Sequence, residues 1–79
     1  MKDIVELAFE WNEILVIKYI PYNKQWRACF TDGILAETSR SGFGFGCSPE
    51  VALKEYAKSI RGRKIQFSTK VRQVPEDLT

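Results

Sequence analysis

Apolar residues recur along this chain with two different periods. Ile4, Leu7, Ala8 and Trp11 stand at i, i+3, i+4 and i+7, which is one stripe of a helix. Asp3 is placed to cap its start and Asn12 to stop it. The period then changes. Residues 13–20 are rich in β-branched side chains (Ile14, Val16, Ile17, Ile20) and predict a strand. Pro21-Tyr22-Asn23-Lys24 is a turn. Residues 25–31 alternate, with Trp26, Ala28 and Phe30 on one side and Arg27 and Cys29 on the other, as in a half-buried strand. Asp32-Gly33 is a hairpin signal, so a third strand is expected from Ile34 to about Gly44, apolar at its start and polar in its middle.

A second helix is written residue by residue after Gly42-Phe43-Gly44-Phe45-Gly46-Cys47. Ser48 is a good N-cap, and Pro49 suits the first helical position, where its missing N–H costs nothing. Glu50 carries negative charge to the positive end of the helix dipole. Ala52, Leu53, Tyr56, Ala57 and Ile60 then mark a buried face. Gly62 can take the left-handed conformation that ends a helix. Residues 64–68 offer an optional fourth, edge strand. The expected architecture is α+β, in the order α-β-β-β-α(-β): an antiparallel three-stranded sheet, four-stranded if 64–68 joins it, with two helices on one face. Residues 1–68 form the domain, and 69–79 read as an extended or flexible tail.

Composition changes this picture little, and charge changes it more. Seventy-nine residues make one small domain, and the net charge is only +2. The two halves differ: residues 1–39 carry −2 and residues 40–79 carry +4. Lys54, Lys58 and Arg61 fall at i, i+4 and i+7, a stripe on one side of the second helix, and Arg63 and Lys64 follow. Such a stripe is either the solvated back of an amphipathic helix or a patch for nucleic acid or an acidic protein. No apolar run is long enough for a membrane helix, and no apolar segment follows Lys2, so neither membrane insertion nor secretion is expected. Two cysteines without metal-ligand spacing suit a reduced, cytoplasmic protein.

The candidate chemistry is mostly exclusion. Histidine is absent, which removes the usual general base and the commonest metal ligand. Neither cysteine has a histidine to make it a thiolate, and Glu6 and Glu10 read as solvated helix acids. Gly42, Gly44 and Gly46 have neither the dinucleotide nor the P-loop spacing, so they read as letting the chain turn sharply into the helix while Phe43 and Phe45 pack. No catalytic residue, metal or cofactor is expected. The aromatic residues are the better lead. Phe43 and Phe45 point the same way, and Tyr19, Tyr22 and Trp26 gather near the first hairpin. Any of them left exposed would mark a protein contact. An open sheet edge, at the third strand or at Ile65–Phe67, would allow a homodimer.

Two families share the helix-strand-strand-strand-helix order and the Gly-rich entry to the last helix. Gly44, Gly46, Ser48 and Ala52 are similar to the G-x-G-x-S-K-K-x-A turn of double-stranded RNA-binding domains, although Pro49 and Glu50 stand where that family has its phosphate-gripping lysines. Gly44, Gly46, Ser48, Pro49, Glu50, Ala52, Leu53, Tyr56, Ala57, Ile60 and Gly62, with Trp26, resemble more closely the HicB-like antitoxin fold and small phage and prophage proteins that share it. The resemblance spans roughly the first 68 residues. It implies a small cytoplasmic protein of a bacterial host that binds and blocks another macromolecule. The target would be a cognate toxin or a host-defence component such as a CRISPR-type nuclease complex. The alternative is a nucleic-acid-binding module that uses the basic stripe.

Overall fold

A computed structural model describes residues 2–40 and 42–79; expectations that touch Met1 and Ser41 lie outside them. α1 spans Ile4–Trp11 and buries Ile4, Leu7, Ala8 and Trp11, the stripe read from the sequence. Asp3 accepts the Glu6 N–H at 2.8 Å, and Asn12, at φ 55°, closes the far end. β1 (Leu15–Ile20) and β2 (Gln25–Phe30) form the first hairpin, with Leu15 opposite Phe30 and Tyr19 opposite Trp26. Its turn is held by Lys24 at φ 55° and by the Asn23 side chain, which accepts the Gln25 N–H at 3.2 Å.

The expected third strand is instead split in two. β3 is only Ile34–Leu35 and leaves β2 altogether. Residues 36–40 then loop back, with Ser39 at φ 54° and the Leu35 N–H donating to the Arg40 carbonyl at 2.8 Å. The chain rejoins β2 only at β4 (Gly44–Gly46), where Gly46 opposes Trp26 and Gly44 opposes Ala28. The reason lies at Asp32-Gly33. A two-residue Asp-Gly hairpin needs positive φ at both positions, and here only Asp32 (φ 61°) has it. The turn therefore sends the chain aside instead of back along β2.

α2 (Pro49–Ile60) follows, with the Ser48 hydroxyl accepting the Val51 N–H at 3.3 Å and Gly62 at φ 68° just beyond its end. β5 (Lys64–Gln66) pairs with both β3 and β6 (Val71–Gln73). The protein is thus an α+β fold, with two helices and two antiparallel three-stranded sheets among the described residues, ordered β1-β2-β4 and β3-β5-β6. Ile65 lies in the central strand of the second sheet, so it offers no open edge for a dimer.

The segment 69–79 is not a tail outside the domain. Val74 and Leu78 are fully buried, and β6 lies within it. The Val74 N–H donates to the Arg63 carbonyl at 2.8 Å. The Ile4 N–H donates to the Thr79 carbonyl at 3.1 Å, and the Thr79 N–H to that of Lys2 at 3.0 Å. The Arg72 guanidinium lies 5.4 Å above the Trp11 ring and donates to the Trp11 carbonyl, at the negative end of α1. Phe30 joins these parts. Its ring meets Trp11 at 5.6 Å, Phe67 at 5.7 Å and Tyr56 at 5.8 Å, so both helices, the first sheet and the residue that follows β5 share one aromatic cluster.

α2 lies directly on β4. A Cβ on Gly44 would collide with the Ala52 carbonyl and the Tyr56 backbone, and one on Gly46 would come within 2.7 Å of the Ala52 nitrogen. This close approach lets the buried Tyr56 hydroxyl accept the Phe30 N–H at 3.1 Å, a donor left over where β4 has ended. Gly44→Ala should therefore cost about 3 kcal/mol or more in urea denaturation, because backbone rather than a flexible side chain must move. Tyr56→Phe should cost about 1–3 kcal/mol by leaving a buried N–H unpaired. Burial also pushes the Tyr56 hydroxyl up to about 12. The folded state therefore holds that proton more tightly than the unfolded chain. The Tyr56 contribution should be complete below about pH 10 and be lost as pH rises towards 12, so the gap between wild type and Tyr56→Phe should narrow over that range.

Candidate functional site

Because side chains alternate along a strand, the first sheet has two unlike faces. Trp26, Ala28 and Phe30 face the helices together with Gly44 and Gly46. Arg27 and Cys29 face away, beside Val16, Lys18 and Ile20 of β1 and Phe45 of β4. Neither helix lies on this outer face. Phe43 and Phe45 stand on it 37% and 42% exposed, with their ring centres 6.1 Å apart, edge to face. The Arg27 guanidinium sits 4.6 Å above the Phe43 ring. An exposed aromatic pair clamped by an arginine has the composition of an interface centre, and its rotamers are held before any partner arrives.

The basic stripe lies elsewhere. Lys54, Lys58 and Arg61 border a groove of about 560 Å³ between α1 and α2, to which Ile4, Val5 and Leu53 add apolar surface. Asp3 and Glu50 line the same groove, and Lys58 is paired with Glu55 at 3.4 Å. Arg63 and Lys64 are exposed beyond the helix end and do not line it. The structure therefore brings three of the five basic candidates together and puts carboxylates among them. It leaves Phe43 and Phe45 on the opposite side of the helical layer.

Tyr22 stands 91% exposed in the first turn, while Tyr19 and Trp26 pair at 5.3 Å on the helix side of the sheet. The turn expected to gather all three aromatics thus presents Tyr22 by itself. Phe9 was not singled out from the sequence, yet it is 89% exposed. It shares a surface depression with Val5, Ile14 and Leu15. The signal was present: Val5 and Phe9 stand at i, i+4 and both fall off the buried stripe.

Gly44 and Gly46 lie in close contact with α2, which the sequence reading did not include, and Phe43 and Phe45, expected to pack, stand part-exposed on the other face of the strand. The Ser48 cap already occupies the free N–H of Val51. Burial pushes the Cys29 thiol above its ordinary value, with Arg27 and Lys18 acting in the opposite direction, so at neutral pH it is a thiol and not an activated nucleophile. Among the described residues, no group of three or more His, Cys, Asp or Glu is placed to hold a metal ion, and no helix is long and apolar enough to cross a membrane.

The Arg27–Phe43 contact should be measurable in the free protein. A double-mutant cycle with Arg27→Ala and Phe43→Ala should return a coupling of about 0.5–1 kcal/mol in denaturant unfolding. Zero coupling would mean that the clamp does not hold the aromatic pair in place.

Comparison with protein-family models, curated proteins and solved structures finds no match to this chain.

Proposed function

We propose that this chain is a non-catalytic binding protein that acts by covering part of another protein, with Phe43, Phe45 and Arg27 at the centre of the contact. One observation carries the reading: a half-exposed aromatic pair, pre-set by an arginine, on a sheet face that neither helix covers. Burying such a group on a partner releases water from apolar surface while Arg27 keeps its hydrogen-bond donors for the partner. Nucleobase stacking fits the same residues less well. Arg27 already occupies one face of Phe43, and the edge-to-face packing of Phe43 on Phe45 does not present two parallel platforms.

The resemblance to HicB-like and small phage proteins supports a role in blocking the target, which is a toxin or a host-defence complex in the cytoplasm of a bacterium. A second reading has its own support: Lys54, Lys58 and Arg61 line one groove and would contact a phosphate backbone. Asp3 and Glu50 in that groove weaken it.

The two surfaces are far enough apart to be tested separately. Tagged protein is used to capture partners from bacterial lysate, with and without nuclease, at low and at about 0.5 M salt. The expected result is a stoichiometric protein that survives nuclease and salt. It should be lost with Phe43→Ala/Phe45→Ala but kept with Lys54→Glu/Lys58→Glu/Arg61→Glu. Truncation of one hot-spot aromatic should weaken binding by about 2 kcal/mol, roughly thirtyfold. Capture that vanishes with nuclease or salt, and depends only on the three basic residues, would replace this reading with the nucleic-acid one.

A further inference from the structure

Among the described residues, β1 is the longest outer strand of either sheet. It is the outer strand of the sheet β1-β2-β4 and runs for six residues, whereas the outer strands β4, β3 and β6 have three, two and three. Proteins blunt a long edge with proline, a bulge or several charges. Within Leu15–Ile20 there is no proline and one charge, Lys18.

The direction of its free main-chain groups follows from the first hairpin. The Thr31 N–H donates to the Ile14 carbonyl at 2.8 Å, so Val16, Lys18 and Ile20 also face β2 with their N–H and C=O. Leu15, Ile17 and Tyr19 therefore direct theirs to the open edge. The side chains of these three lie on the helix side of the sheet, where α2 packs on β2 and β4; Leu15 is half-buried against the core, and Ile17 and Tyr19 are left partly uncovered. Ile17 is 38% and Tyr19 47% exposed in consequence.

We propose that β1 pairs antiparallel with β1 of a second copy of this chain, about a two-fold axis through Ile17. The helix-side faces stay together only if residues of like parity oppose each other, so the axis must pass through a residue. Centred on Ile17, the pairing sets Ile17 against Ile17, Leu15 against Tyr19 and Val16 against Lys18. All three edge-facing residues of each copy are then used, for about six main-chain hydrogen bonds. Centred on Lys18, two lysines would stand opposite each other and one bonded pair would be lost. The strand is thus complementary to itself in one register, which is why the occupant is a second copy.

The surroundings fit. Leu15 shares its depression with Phe9, so Phe9 of one copy comes to face Tyr19 of the other. Among the described residues, Val5, Phe9, Ile14, Ile17 and Tyr19 make up half of the exposed large apolar side chains, and all belong to this edge and its flank. A standard interface takes about 800 Å² from each partner, roughly one-sixth of the 5170 Å² surface of the chain. This pairing does not rest on the binding reading above, and it leaves the Phe43–Phe45 face open.

Sedimentation velocity or light scattering should give twice the chain mass of 9.1 kDa. Ile17→Lys and Ile17→Glu, each by itself, should be monomeric because the axis brings like charges together, and an equimolar mixture of the two should recover the dimer. That recovery also proves that both variants fold. A wild type that stays monomeric at about 100 μM, well above the micromolar dissociation constants of weak interfaces of this size, overturns the proposal. So does Ile17→Lys that remains dimeric, or a mixture that fails to associate while both variants keep the circular dichroism of the wild type.

Discussion

The backbone of α2 rests on the backbone of β4 at Gly44, and the rest of the structure is arranged around that contact. With no side chain between them, helix and strand approach far enough for Tyr56 to reach the Phe30 N–H. That bond closes the gap left where β4 ends and anchors the ring around which Trp11, Phe67 and Tyr56 collect. Because Gly44 and Gly46 fill the inner side of β4 with helix, the residues between and beside them, Phe45 and Phe43, have only the outer side to occupy. The packing constraint and the aromatic surface are two sides of one short strand.

Local chemistry was legible wherever a few neighbouring residues decide the conformation. Asp3, Asn12, Ser48, Pro49 and Gly62 mark the helix ends, and each does what its side chain or backbone freedom implied. The alternation of Trp26, Ala28 and Phe30 gave the inner face of β2. The third strand was not legible because Asp32-Gly33 takes positive φ at one position instead of two, and the dipeptide is compatible with either. The last strand escaped notice as well. Val71, Val74 and Leu78 are too sparse to form a period, and what holds the segment is main-chain pairing with β5 and the contact of Arg72 with Trp11, 61 residues away.

The two candidate surfaces were half legible. Period two puts Phe43 and Phe45 on one side of a strand, and period 3.6 puts Lys54, Lys58 and Arg61 on one side of a helix. The sequence could not say that Arg27 crosses from the neighbouring strand to clamp Phe43, or that Asp3 from α1 joins the basic groove, because both facts depend on which elements become neighbours. The result is a molecule with separate aromatic and basic surfaces on opposite sides of one helical layer.

The hydrogen bonds between residues 2–4 and Thr79 have a consequence for the order in which the molecule assembles. α1 is held by the Arg72 side chain on Trp11 and by the Thr79 main chain on Lys2 and Ile4, so its anchors lie more than sixty residues away along the chain. Contacts of such long separation form only after the chain between them has been ordered. The first helix is therefore the element expected to dock last, and Trp11 gains its full cover only at that step.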